Sequence, residues 1–238
     1  MQRYFFIALD DIRLSNDDIY HINKVMRMKK GDTFEVVLNK KVHLCEIVNL
    51  NPFDFKVIDI DSMDNELDHD ITLFYALAKG NKNEIVMQKA TELGAKRIVL
   101  LSSSRSVEKM SQEAFNKKKE RFEKILKEAS EQSKRNIIPE ILGIYSINKI
   151  PQELLCDMNL VAYENDSGST KETFEILNSI KPNQSISLLI GSEGGISLDE
   201  LNILKKQGFK DISLGKRILR TETASIYALS VIAFMLER

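Results

Sequence analysis

Two stretches decide the fold: LLIGSEGGISLDE at residues 188–200 and SLGKRILRTETA at residues 213–224. Each reads as a strand that runs into a glycine turn leading towards a helix. Two such turns set backbone N–H groups and carbonyls against one small ligand, because glycine lets a backbone approach closely. Neither is a nucleotide-phosphate fingerprint. A P-loop needs GxxxxGK[ST], which the chain lacks. A dinucleotide site needs a glycine-rich turn after the first strand of the α/β region, and the turn there, Lys79-Gly80-Asn81-Lys82, has a single glycine.

Working outward, Ser197 and Glu200 form a capping box for a helix that follows the first turn. A helix over residues 222–236 follows the second, and it is apolar nearly all round, as suits a core or an oligomer interface. Upstream, ITLFYALA, RIVLLSS, EILGIY, NLVAYE, SISLLIG and DISLG are strand candidates. Between the first two, Asn81 is placed to cap a helix and Gly94 to stop it. A helix over residues 112–134 turns Phe115, Phe122, Ile125, Leu126 and Ala129 to one face. Alternation of this kind predicts an α/β fold with a mostly parallel sheet covered by helices.

The first 60 residues read differently. QRYFFIAL, TFEVVLN, KVHLCEIVNL and FKVIDID are short strands, with a hairpin at Asn39-Lys40-Lys41. DDIYHINKVMRM has helical spacing at Ile19, Ile22 and Met26. Several strands with one small helix predict a little β-barrel. The acidic residues 61–70 read as a linker, so the expected domains are residues 1–68 and 69–238.

Composition sets outer bounds. With 43% apolar and 29% charged residues the chain reads as an ordinary globular protein. It has no apolar run of spanning length and no signal-peptide pattern at its start, and its cysteines, Cys45 and Cys156, lie far apart, so a reducing cytoplasm is expected. The histidines, at 21, 43 and 69, match no ligand spacing, so no metal site is expected. A net charge of −1 hides an asymmetry: residues 1–70 hold 9 basic and 14 acidic residues, and residues 96–135 hold 12 and 6. The second segment is either a nucleic-acid surface or a solvated helix with Glu–Lys pairs.

Six ordered stretches carry a resemblance. MQRYF, HINKVMRMKKGD, KNEIVMQKATELGAKRIVLLSSSRSV, EASEQSKRNIIPEI and the two glycine motifs are similar to the signatures of the RsmE family of SPOUT-superfamily RNA methyltransferases. It spans essentially the whole chain, with one departure, Ser192, where the family more often has proline. The resemblance implies a deep trefoil knot, a PUA-like N-terminal β-barrel and a homodimer. It implies S-adenosylmethionine as cofactor, with Ile190, Gly191, Gly194 and Gly195 as one wall. Leu214, Gly215, Ile218, Leu219 and Ala224 supply the other. The implied reaction methylates N3 of a uridine in 16S ribosomal RNA within the small subunit.

For that chemistry Arg220 is the candidate to steady the uracil or a phosphate, and Glu222 to accept the N3 proton. Glu222 equally suits the dipole at the last helix's N-terminus, with Arg220 paired to it. Arg3, Lys24, Arg27, Lys29, Lys30, Lys40 and Lys41 are candidate phosphate contacts, as is Arg105. Arg135 reaches RNA, a partner subunit's site, or its own helix-end carbonyls. Gln88 and Glu92 share a helix face, which lines an approach or is simply polar surface. Glu193 contacts cofactor or satisfies its own loop. Alternatives are methylation of another RNA and a non-catalytic RNA binder of the same fold.

Overall fold

The computed structural model describes residues 1–6, 13–164 and 169–237. The chain forms two compact units, one of Met1–Glu66 with Lys127–Ile138, the other of Leu67–Leu126 with Pro139–Arg238.

In the first unit, β1 (Arg3–Phe5), β2 (Thr33–Leu38), β3 (Lys41–Leu50) and β4 (Phe53–Asp61) form one sheet in that order. β1 runs parallel to β2, and the remaining pairs are antiparallel. Asn39 and Lys40 make the β2–β3 turn with φ of 51° and 63°, the left-handed pair that a two-residue hairpin requires. Tyr4, Ile22, Phe34, Val36, Cys45 and Ile47 form the core. Helix α1 (Asn16–Tyr20) starts at a Ser15–Asp18 capping box and runs on as a wider turn through Val25. Ile22 is buried, while Met26, expected on the same face, is exposed because Arg27 turns left-handed and ends the helix.

The expected acidic linker is partly built into structure. β4 extends to Asp61, and Glu66 is buried against Arg135 and accepts from the Asn136 and Ile137 N–H groups. Residues 127–138 belong to this unit through such contacts. Arg3 donates to the Lys134 and Arg135 carbonyls and pairs with Glu35 at 2.8 Å.

In the second unit six strands lie in the order β10-β8-β9-β5-β6-β7. They are β5 (Ile71–Ala76), β6 (Ala95–Ser102), β7 (Glu140–Ser146), β8 (Met158–Ala162), β9 (Ile186–Ile190) and β10 (Phe209–Ile212). Every pairing is parallel. All residues of β5 and β9 are buried, as parallel strands covered on both faces must be. Successive strands leave β5 on one side and return on the other, which makes the C-terminal ends of β5, β8 and β9 a switch point where α/β sheets bind ligands.

The helices are α2 (Lys82–Glu92), α3 (Gln112–Gln132), α4 (Lys171–Asn178), α5 (Leu198–Lys206) and α6 (Thr221–Leu236). Asn81 precedes α2 without a side-chain capping bond; Asn83 instead closes the turn, bonding both the N–H and the carbonyl of Ala78. Gly94 stops α2 at φ 87°, and a Cβ there would lie 2.5 Å from Leu67. Phe115, Phe122 and Leu126 of α3 are buried as expected, and Ile125 is half-buried. α6 buries Ala224, Ala228, Leu229 and Ile232, yet leaves Phe234 74% exposed, so its apolar outer face is uncovered within this chain. Among the described residues no helix is long and apolar enough to cross a membrane, and no cluster of side chains could hold a metal ion.

Candidate functional site

The loops after β8, β9 and β10 enclose a cavity of about 540 Å³. β9 feeds its wall with Ile190, and residues 191–196 curl back over it. The curl is a tight turn in which the Gly195 N–H donates to the Ser192 carbonyl at 2.9 Å. Gly195 has φ 71° and Gly215 φ 106°, backbone conformations that disfavour side chains. A Cβ at either would meet nothing within 4 Å, so the backbone there faces open space. Gly191 and Gly194 are needed for packing: a Cβ on the first would lie 2.9 Å from Ile196, and on the second 2.8 Å from Arg105.

All the sequence-predicted cofactor residues line this one cavity: Ile190, Gly191, Gly194 and Gly195 on one side, and Leu214, Gly215, Ile218, Leu219 and Ala224 on the other. The two segments are joined where the Thr221 hydroxyl donates to the Gly191 carbonyl at 2.7 Å. Arg220 is also in the lining, as is Arg105, whose guanidinium donates to the Gly194 carbonyl at 3.2 Å. Glu222 is not. It stands in the first turn of α6 with Oε2 buried and 3.8 Å from Lys82 Nζ.

Glu193 lines the cavity, and its carboxylate bonds the loop after β5. Its Oε1 accepts from Lys82 Nζ at 2.8 Å and from the Lys79 N–H at 3.0 Å. Burial works to raise its pKa, but the Lys82 bond and the backbone donors outweigh it and hold the carboxyl below the usual range. The same bond raises the Lys82 pKa. The Ser192 hydroxyl is buried with no hydrogen-bond partner among the described residues. Glu200 fixes the far end of the loop. Burial would raise its pKa, yet bonds from the Ser104 and Ser197 N–H groups lower it.

Sequence reasoning did not single out Lys82, Tyr163, Glu164 and Arg217, which also line the cavity. Tyr163 and Glu164 follow β8, so the switch-point rule applied to NLVAYE would have found them.

The candidate phosphate contacts divide. Lys24, Arg27, Lys29, Lys30, Lys40 and Lys41 are exposed on the first unit. Arg3 and Arg135 are not presented to solvent: they are 4% and 3% exposed and are committed to Glu35 and Glu66. Gln88 is exposed, Glu92 is paired with Lys89 at 2.8 Å, and neither lines the cavity.

Known proteins resemble this chain over most or all of its length. An RNA methyltransferase domain family matches residues 65–233, and an RNA methyltransferase PUA domain matches residues 14–59. The ribosomal RNA small subunit methyltransferase E of Bacillus subtilis is 35% identical, covering 100% of this chain and 98% of its own length. A putative methyltransferase from Legionella pneumophila, solved with S-adenosylmethionine bound, is 29% identical with a TM-score of 0.85, over 97% of this chain and 96% of that one. The ribosomal RNA small subunit methyltransferase E of Neisseria gonorrhoeae, also bound to S-adenosylmethionine, is 26% identical with a TM-score of 0.83, over 99% and 98%. With its catalytic-domain match, its PUA match and its full-length relatives, the chain belongs to the ribosomal RNA small subunit methyltransferase E family.

Proposed function

We propose that the chain is an S-adenosylmethionine-dependent methyltransferase that modifies N3 of a uridine in 16S ribosomal RNA of the small subunit. The observation that carries the reading is the cavity of about 540 Å³ walled by two glycine turns at the sheet's switch point. The residues fit the cofactor. It has no phosphate, so it needs backbone polar contacts and an apolar slot, which Ile190, Leu214, Ile218 and Leu219 supply. Gly195 and Gly215 keep the wall free of side chains where it faces open space.

Bound there, the cofactor supplies an electrophilic methyl group. Arg220 in the lining steadies the negative charge that develops on the uracil oxygens as N3 attacks. N3 carries a proton at neutral pH, and Glu222 is the assigned acceptor. Its carboxylate stands outside the lining, so in this reading the proton reaches it across one water. Arg27, Lys29, Lys30 and Arg105 hold RNA phosphates. Residues 1–68 then serve as the RNA-holding domain and residues 69–238 as the transferase. The reading includes a cytoplasmic homodimer built on the face of α4 and α6 that exposes Phe174, Tyr227 and Phe234. It also includes a trefoil knot formed by the two glycine segments, a reading supported by the Thr221–Gly191 bond between them.

The test is incubation of the protein and S-adenosylmethionine with undermodified small subunits and, separately, with naked 16S RNA, followed by nucleoside mass spectrometry. N3-methyluridine from assembled subunits is expected. Methylation of a different RNA or nucleoside, or none despite cofactor binding, would refute the assignment.

A further inference from the structure

We propose that Lys82 is a positioning residue for methyl transfer, a single ammonium that ties the two glycine segments together from outside their direct contact. The inference rests on the function proposed above. Lys82 is the first residue of α2, and its side chain lines the cavity. Its Nζ lies 2.8 Å from Glu193 Oε1 and 3.8 Å from Glu222 Oε2. Glu193 belongs to the turn that follows β9, and Glu222 to the first turn of α6, directly after the segment of residues 213–220. One cation therefore bridges a carboxylate of the turn after β9 and one of the first turn of α6, the second standing just outside the cavity lining.

The two contacts are not equivalent. The Glu193 contact is a charge-assisted hydrogen bond, in a carboxylate that also accepts the Lys79 N–H. The Glu222 contact is ionic only. Glu222 Oε2 is buried and has no hydrogen-bond partner among the described residues. A buried carboxylate oxygen without a donor is unfavourable, and a nearby cation is what offsets it. Glu193 thus fixes the ammonium, and the ammonium stands beside Glu222. The Tyr75 hydroxyl is buried beside Thr221. Burial, with the charges of Glu193 and Glu222 added, raises its pKa, so it stays neutral and gives the carboxylates no competing charge.

The experiment is calorimetric titration of S-adenosylhomocysteine into the full-length protein, wild type and variants, with methyl-transfer kinetics beside it. K82M is expected to weaken binding about 5-fold, the modest size of a part-exposed ion pair. KM for S-adenosylmethionine rises in step while KM for small subunits stays unchanged. K82R restores binding to within about 2-fold of wild type, since the pair needs a cation. K82M/E193Q binds no worse than K82M, because the two single changes remove the same contact. Should K82M fail to fold, E193Q reads the same coupling with the lysine in place. Unchanged binding in K82M and E193Q, or strictly additive losses in the double variant, would overturn the inference. A wild-type protein that binds no S-adenosylhomocysteine would instead overturn the proposed function.

Discussion

The Thr221 hydroxyl donates a 2.7 Å hydrogen bond to the carbonyl of Gly191, joining the first residue of the last helix to the turn that follows β9. Thr221 is 5% exposed, so a carbonyl deprived of this donor finds little water to replace it. T221V is expected to lose about 1–2 kcal/mol of stability and T221S close to none. Urea denaturation of the two variants checks this, and equal losses would show that the hydroxyl is not the reason.

Arg220 stands next to that bond with its side chain in the cavity wall. If it acts on charge that appears only in the transition state, R220A lowers kcat about 100-fold while S-adenosylhomocysteine affinity stays within about 3-fold. Steady-state kinetics with small subunits, paired with ligand titration, separates the two. A loss confined to cofactor affinity would make Arg220 a binding residue.

Arg135 and Glu66 form an ion pair with side chains only 4% and 7% exposed. Glu66 also accepts from the Asn136 and Ile137 N–H groups. R135A strands a buried carboxylate and is expected to cost about 3–5 kcal/mol, whereas R135A/E66A costs less than R135A alone. Chemical denaturation followed by circular dichroism measures both. A mild R135A phenotype accompanied by a loss of RNA affinity would return Arg135 to the RNA-contact role.

Burial pushes Glu131 up to about 7 from 4.5, against the pull of Lys127 and with the charges of Asp18 and Glu128 adding to the rise. Its Oε1 accepts from Lys127 Nζ at 2.6 Å, and the same ammonium bonds Asp18. A carboxyl whose folded pKa lies above its unfolded value holds more protons when folded, so its contribution is favourable at low pH and is lost as pH rises from 4.5 to about 7. Relative to E131Q, the wild type is therefore expected to lose stability across that window and to run parallel above it. Denaturation midpoints taken at intervals of pH test the slope. A wild-type stability that rises relative to E131Q over the same range would contradict it.

Much of the fold was legible because local pattern carries it. The six strands of the second unit announce themselves as β-branched runs, and Ser197 and Glu200 form the capping box that their spacing implies. The walls of the cavity were legible for a different reason: glycines at two strand ends mark backbone that leaves room for close approach. What local pattern does not carry is a distant partner. Arg3 looked like a surface cation until Glu35, 32 residues away, and the carbonyls of Lys134 and Arg135 enclosed it. Arg135 was hidden in the same way by Glu66, 69 residues away. Lys82 lay in a turn noted only for having one glycine, and its meaning depends on Glu193, 111 residues further on. Met26 was misplaced by one local event, the left-handed φ of 52° at Arg27, that its helical spacing could not reveal.

The most direct test of the central claim is an experimental structure of the protein with S-adenosylhomocysteine. The account predicts the ligand in the cavity of residues 190–196 and 213–221, against the backbone of Gly195 and Gly215, with Arg220 at its open side. A ligand bound elsewhere, or a cavity that closes and excludes it, would contradict the account.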